Sequence, residues 1–179
     1  ACVVTPDEPD MVAAAAAKLL VDRIKAGTGA VLTVVPEGKA PSAGPRIFVG
    51  WTRAAAMAGL SPADLTADGY ILRVQDGALF LAGRDNDVKS ITSFQGAKGT
   101  YLAAMRFLED FAGVRWLMPG PQGVWTPPRT EVSVPDTLRL VHTPPLRYAM
   151  TRMDRYQDWS AANGARMPLK LFTAGGHTW

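Results

Sequence analysis

Apolar and polar positions follow two rhythms along this chain, and stretches of one rhythm alternate with stretches of the other. Cys2 to Thr5 is a short β-branched run stopped by Pro6. Asp7 and Asp10 stand where a helix N-terminus favours acids. Val12, Ala16, Leu19, Leu20 and Ile24 then recur at helical spacing and make one apolar face. Lys18, Asp22, Arg23 and Lys25 fall mostly outside that face, and Gly27 and Gly29 end the helix. Val31 to Val35 predicts a second strand, closed by Pro36. Residues 36–45, rich in Pro and Gly, read as a surface loop before a third strand at Arg46 to Gly50. Thr52 to Gly59 predicts a short helix with Thr52 as its cap, and Ser61-Pro62-Ala63-Asp64 resembles another helix start. Gly69 to Val74 and Ala78 to Ala82 are strands separated by Gln75-Asp76-Gly77, a hairpin signal.

Residues 83–99 are polar and show no clear period, so they predict a long connection. Tyr101, Ala104, Met105, Leu108, Phe111 and Ala112 define a second long amphipathic helix, stopped by Gly113, and Val114 to Met118 predicts a strand. The character then changes, because residues 119–145 hold seven prolines. That stretch reads as extended connector, with Glu131 to Val134 and Leu138 to Val141 as short strands within it. Leu146 to Met150 predicts one more strand, and Asp154 to Asn163 a helix ended by Gly164. The order is β-α-β-β-(α)-β-β-α-β, then a proline-rich linker, then the opening of something else. A hairpin mixed with crossover helices implies an α+β fold, a mixed β-sheet with its two long helices packed on one face.

Composition narrows the function classes. The chain has 179 residues, 47% of them apolar and 20% charged. That suffices for a buried core in one domain, or in one domain plus a fragment of a second. Nineteen basic against 16 acidic side chains leave a formal charge of +3. The basic residues are scattered; Arg147, Arg152, Arg155 and Arg166, interleaved with Tyr148, Tyr156 and Trp159, form one loose cluster. A nucleic-acid footprint is denser and more one-sided, so no nucleic-acid partner is expected. No apolar run approaches the roughly 20 residues of a membrane helix. A single cysteine, Cys2, permits no internal disulfide and no Cys-based metal cluster. Cys2 reads as a small apolar strand residue in preference to a lipid-attachment site exposed by signal cleavage. The chain does not begin with Met and carries no signal peptide, so any export signal is expected upstream.

Two stretches carry a family pattern. The first is Asp68-Gly69-Tyr70-Ile71-Leu72-Arg73-Val74, followed by Ala78-Leu79-Phe80-Leu81-Ala82-Gly83. The second is Lys98-Gly99-Thr100-Tyr101-Leu102-Ala103-Ala104-Met105-Arg106-Phe107-Leu108-Glu109-Asp110, continuing as Gly113-Val114-Arg115-Trp116-Leu117-Met118-Pro119-Gly120-Pro121-Gln122-Gly123. Together they resemble the N-terminal domain of family 67 glycoside hydrolases, the α-glucuronidases. The likeness is stronger still to bacterial glycoside-hydrolase-like proteins that share this domain. It is also similar to the accessory domain of β-N-acetylhexosaminidases. The resemblance covers about residues 1–145. One departure is the longer polar insert from Arg84 to Gln95, where the family often has a tight glycine-rich turn.

The resemblance implies an accessory domain at 1–143 and, at 144–179, the first elements of a truncated catalytic (β/α) barrel. Pro145-Leu146-Arg147-Tyr148 resembles the family's approach to the first barrel strand, and Gly175-Gly176-His177-Thr178-Trp179 a glycine-histidine-aromatic segment early in the barrel. It further implies a bacterial parent that is secreted, periplasmic or at the cell surface and that hydrolyses polysaccharide-derived glycans. The paired catalytic carboxylates lie further along such barrels, so no catalytic residue is carried over and this piece alone is expected to be inactive. No cofactor and no metal is implied.

Glycoside hydrolysis needs two carboxyl groups facing each other across the sugar. Glu109 and Asp110 are adjacent on a helix and diverge, whereas Asp154 and Asp158, at i, i+4, read as a solvated face. His177, beside Trp179, is the strongest candidate for contact with a sugar, because active sites gather at the ends of barrel strands. Arg147 and Arg152 (with Arg166) suit the carboxylate of an acidic sugar, or else brace the junction between domains. His142 reads as structural, and two histidines so far apart make no metal motif. Trp116 and Trp125 flank Pro119-Gly120-Pro121 and read as packing at a domain edge rather than as a sugar platform. Gly96-Ala97-Lys98-Gly99-Thr100 lacks the full phosphate-loop spacing. The competing readings are a stand-alone carbohydrate-binding module and a structural interaction domain.

Overall fold

A computed structural model describes residues 1–86, 88, 90–92, 96–145, 159, 160 and 163. Along the chain the elements are β1 (Cys2–Thr5), α1 (Met11–Thr28), β2 (Thr33–Pro36), β3 (Arg46–Val49) and α2 (Arg53–Met57). There follow β4 (Tyr70–Gln75), β5 (Ala78–Gly83), α3 (Gly99–Asp110), β6 (Arg115–Trp116), β7 (Val124–Trp125) and β8 (Arg139–His142).

Local chemistry fixes where these begin and end. The Asp10 carboxylate accepts from the Ala13 N–H at 2.7 Å and starts α1. Gly29 ends it in the left-handed conformation, donating to the Lys25 carbonyl at 2.9 Å. Thr52 Oγ1 accepts from the Ala55 N–H at 3.1 Å and starts α2. Asp76 and Gly77 both have positive φ (51° and 70°), the geometry of a tight two-residue turn that matches strand twist. It sets the register of the β4–β5 hairpin, with Gln75 opposite Ala78.

The main sheet has strand order β2-β1-β3-β5-β4-β8. The pairs β1–β2, β1–β3 and β3–β5 are parallel, and β4–β5 and β4–β8 antiparallel. Period-two alternation sends neighbouring side chains to opposite faces. Val3, Val49, Leu72, Val74, Leu79 and Leu81 join Ala16, Leu20, Ile24, Ala104, Phe107 and Leu108 of the two long helices in one core. Val4, Phe48, Ile71 and Phe80 point the other way, to a smaller core closed by Ala55, Leu60 and Leu65. The Phe48 and Phe80 rings stack there, 5.0 Å apart. Leu20, Leu72, Leu81 and Leu108 are fully buried, each contributing about 1.5–3 kcal/mol from removal of its side chain from water. The fold is thus α+β, a mixed sheet with both long helices on one face and the short α2 on the other.

Several expectations shift. β2 begins at Thr33, leaving Val31 outside it and 70% exposed. β6 is two residues long and pairs with β7 as a separate ribbon, rather than running from Val114 to Met118. Residues 131–134 form no strand. Val132 and Val134 pack on the main core while their neighbours face water, so side chains alternate as in a strand but the backbone has no ladder partner. The proline-rich stretch also wraps back onto the first body. Arg129 donates its N–H to the Gly27 carbonyl at 2.9 Å, and β8 completes the sheet beside β4. Cys2 lies buried in β1, and its N–H donates to the Pro45 carbonyl.

Candidate functional site

Parallel strands β1, β3 and β5 end on the same side of the sheet, where ligands gather in open parallel sheets. Here polar packing occupies the end of β5. β5 runs straight into the N-terminus of α3, and the contact is backbone on backbone: a Cβ on Gly83 would strike Gly99 and Thr100. Thr100 Oγ1 accepts from the Gly83 N–H at 3.0 Å. Asp85 reaches the same turn, accepting from the Thr100 N–H at 2.9 Å and from its hydroxyl at 2.5 Å. Asp68, buried and held at φ 60°, accepts from the Lys98 N–H at 2.6 Å. The Trp51 indole donates to the Gly83 carbonyl at 2.7 Å, and the Arg84 guanidinium to the Leu65 carbonyl at 2.7 Å.

Burial dominates the electrostatics of this knot. It pushes the Asp85 carboxyl up to about 7, against the two Thr100 hydrogen bonds that lower it and with Asp10 and Asp68 adding to the rise. Burial lowers the Lys98 ammonium, opposed by Asp68. Tyr70 is raised, again chiefly by burial. A cleft of about 190 Å³, lined by Asp10, Met11, Val12, Asp85, Asn86 and Val88, lies beside the knot. Its two carboxylates are both engaged, Asp10 capping α1 and Asp85 capping α3. Asp85 also fills the place a phosphate would need at the α3 N-terminus, which agrees with the missing phosphate-loop spacing.

A second polar cluster ties the ends of β1 and β2 to α2. Glu37 accepts from the Arg53 and Ala54 N–H groups at 2.8 and 2.7 Å, and the Arg53 guanidinium pairs with Asp7 at 2.9 Å. Asp7 also accepts from the Gly38 N–H at 2.6 Å. Arg53 is largely exposed, so this pairing holds geometry more than it adds stability.

The candidates read from sequence fare unequally. His177, Trp179, Arg147 and Arg152 lie outside the described residues, as do Asp154, Asp158 and Arg166. Asp110 pairs with Arg106 at 2.7 Å, one turn back on α3, and does not converge with Glu109. His142 stacks on Tyr70, rings 4.6 Å apart, between β8 and β4. Trp116 packs against the main core, whereas Trp125 is 53% exposed. Among the described residues no group of three or more His, Cys, Asp or Glu could hold a metal ion, and no helix is long and apolar enough to cross a membrane. Sequence reasoning missed the Asp68–Lys98 and Asp85–Thr100 pairs. Their signal was Gly99-Thr100 opening a helix soon after a strand ending in Gly83.

The architecture defines a mixed-sheet α+β domain whose acids at the strand ends serve as caps. No family among known protein families matches the chain, and no curated protein matches it. Among solved structures, a family GH115 4-O-methyl-α-glucuronidase with specificity for decorated arabinogalactans is similar over 82% of this chain. The identity is 16% and the TM-score 0.47, and the chain spans 18% of that enzyme's length. The glycoside hydrolase found is thus of family 115, not of family 67.

Proposed function

We propose that this chain is the non-catalytic front domain of a bacterial glycoside hydrolase of the α-glucuronidase kind, exported from the cytoplasm. Its work is to pack against the catalytic body and border the substrate cleft. The observation that carries the reading is the use made of its acids. Asp10, Asp68 and Asp85 hold backbone N–H groups, so even the two carboxylates that line the small cleft are spent on capping, which is scaffold chemistry. The sequence resemblance over 1–145 supplies the enzyme class. Assay of the purified 179-residue chain against chromogenic glycosides, α-glucuronides included, tests it: no turnover is expected. Turnover that disappears on Asp85→Asn or Asp10→Asn overturns it.

A stand-alone carbohydrate-binding module is favoured by one observation, the half-exposed Trp125 indole, because flat aromatics stack on sugar rings. Calorimetry with an oligosaccharide panel separates the two. The accessory-domain reading expects no heat, and the module expects saturable binding weakened by Trp125→Ala.

A further inference from the structure

The β6–β7 ribbon stands off the main sheet and has two unlike faces. Trp116 and Val124, opposite each other, pack inward on the main core. Arg115 and Trp125, opposite each other on the outer face, do not. Beyond them the turn carries Leu117 and Met118, so that this short ribbon bears three exposed large apolar side chains: Leu117 66%, Met118 57% and Trp125 53% exposed. Single exposed apolar residues are ordinary, but a group on one small element marks a contact surface. Backbone hydrogen bonds shape the turn. Leu117 donates to the Gly123 carbonyl at 2.8 Å and Gly123 to the Gly120 carbonyl at 3.0 Å. Gly123 lies so close to Met118 that no side chain fits there. The Arg115 guanidinium is anchored at the rim by the Glu109 and Val114 carbonyls, at 2.7 and 2.9 Å.

The chain itself comes back to this ribbon. After the proline-rich stretch it returns to the ribbon: the Trp159 indole and the Asn163 amide both donate to the Trp116 carbonyl at 3.2 Å, and Ser160 between them is buried. We propose that the outer side of the ribbon, Trp125 on β7 with Leu117 and Met118 at the turn, is the seat for an apolar face of the same polypeptide's downstream body, which the chain approaches by way of Trp159 and Asn163. This rests on the reading of the chain as the front domain of a longer enzyme. The occupant is a protein surface in cis, not a sugar and not a second copy.

Cysteine labelling tests the seat, since the native Cys2 is buried and contributes little background. Met118→Cys and Leu117→Cys are each introduced into the natural full-length polypeptide, with Met57→Cys as reference; Met57 is 89% exposed on α2, across the sheet. Maleimide is expected to modify positions 118 and 117 at least about tenfold more slowly than position 57, as for groups shielded by a packed contact. In the 179-residue chain the three rates converge. Equal rates in a full-length protein that does carry a catalytic body overturn the seat and leave the proposed function standing. A natural polypeptide with no downstream body overturns both. Protection of the 179-residue chain that grows with its concentration, or that needs an added oligosaccharide, assigns the tip to a second copy or to a glycan and overturns the proposal.

Discussion

Asp85 sits where the neutral acid is preferred, and that preference links folding to pH. Its carboxyl titrates near 3.8 in an unfolded chain and near 7 in the fold. The folded state therefore binds the extra proton, and the stability this contributes is present in full below about pH 3.8 and lost as pH rises through 7. Unfolding followed in urea should show lower stability at pH 8 than at pH 5.5. Between those two pH values the difference is about 2 kcal/mol, roughly 1.4 kcal/mol for each pH unit from 5.5 to 7, before allowance for solvent screening. Asp85→Asn, which keeps an acceptor for the Thr100 N–H, should flatten that dependence and raise stability at pH 8. An unchanged slope in the variant would mean the proton is bound elsewhere. Beside it, Gly83→Ala should cost about 3 kcal/mol in the same measurement, because its Cβ meets backbone at Gly99 and Thr100 rather than a side chain that can move aside. Gly83 and the Gly99-Thr100 pair are visible in the sequence as punctuation. Asp85 is not, since its partner lies 15 residues away across a stretch without periodicity.

At the level of elements, the long helices and the hairpin are the most legible parts. α1 and α3 each bury one face against a common core, and such a face leaves a 3.6-residue period; Asp76-Gly77 between apolar runs specifies its own turn. α1 also has a capping acid that can be tested. Asp10→Ala should lower stability by about 1 kcal/mol, read as a fall in Tm, while Asp10→Asn, which still accepts from Ala13, should cost less. The short elements read less well for a physical reason. Val132 and Val134 alternate with polar neighbours as in a strand, yet side-chain burial is supplied by the core and the ladder by nothing. Leu138 to Val141 has the same look, and there β4 offers a free edge. Alternation reveals which side chains face inward; whether a neighbouring backbone is present is a property of the whole fold.

For the whole molecule, the sheet joins two styles. Its first half, β2-β1-β3-β5, is parallel and linked by crossovers; its second, β5-β4-β8, is antiparallel. The mixture was legible from a hairpin following βαβ units. The attachment of β8 was not, because a proline-rich stretch before a strand looks like departure rather than return. Trp116 packs on the main core, as an edge aromatic should, while the donation of Trp159 and Asn163 to its carbonyl leaves no trace in the sequence pattern.

The late arrival of β8 has a consequence for how the protein is made. β4 is complete by residue 75, but the strand that covers its outer side begins at residue 139. While a ribosome synthesises the intervening segment, β4 offers an open row of N–H and C=O groups between apolar side chains, a template for any other unpaired strand. A chain terminated at residue 136 should keep both long helices yet precipitate on concentration, and light scattering against the 179-residue protein would reveal it. Adding residues 137–145 should restore solubility, so nascent chains depend on those few residues to protect them from one another.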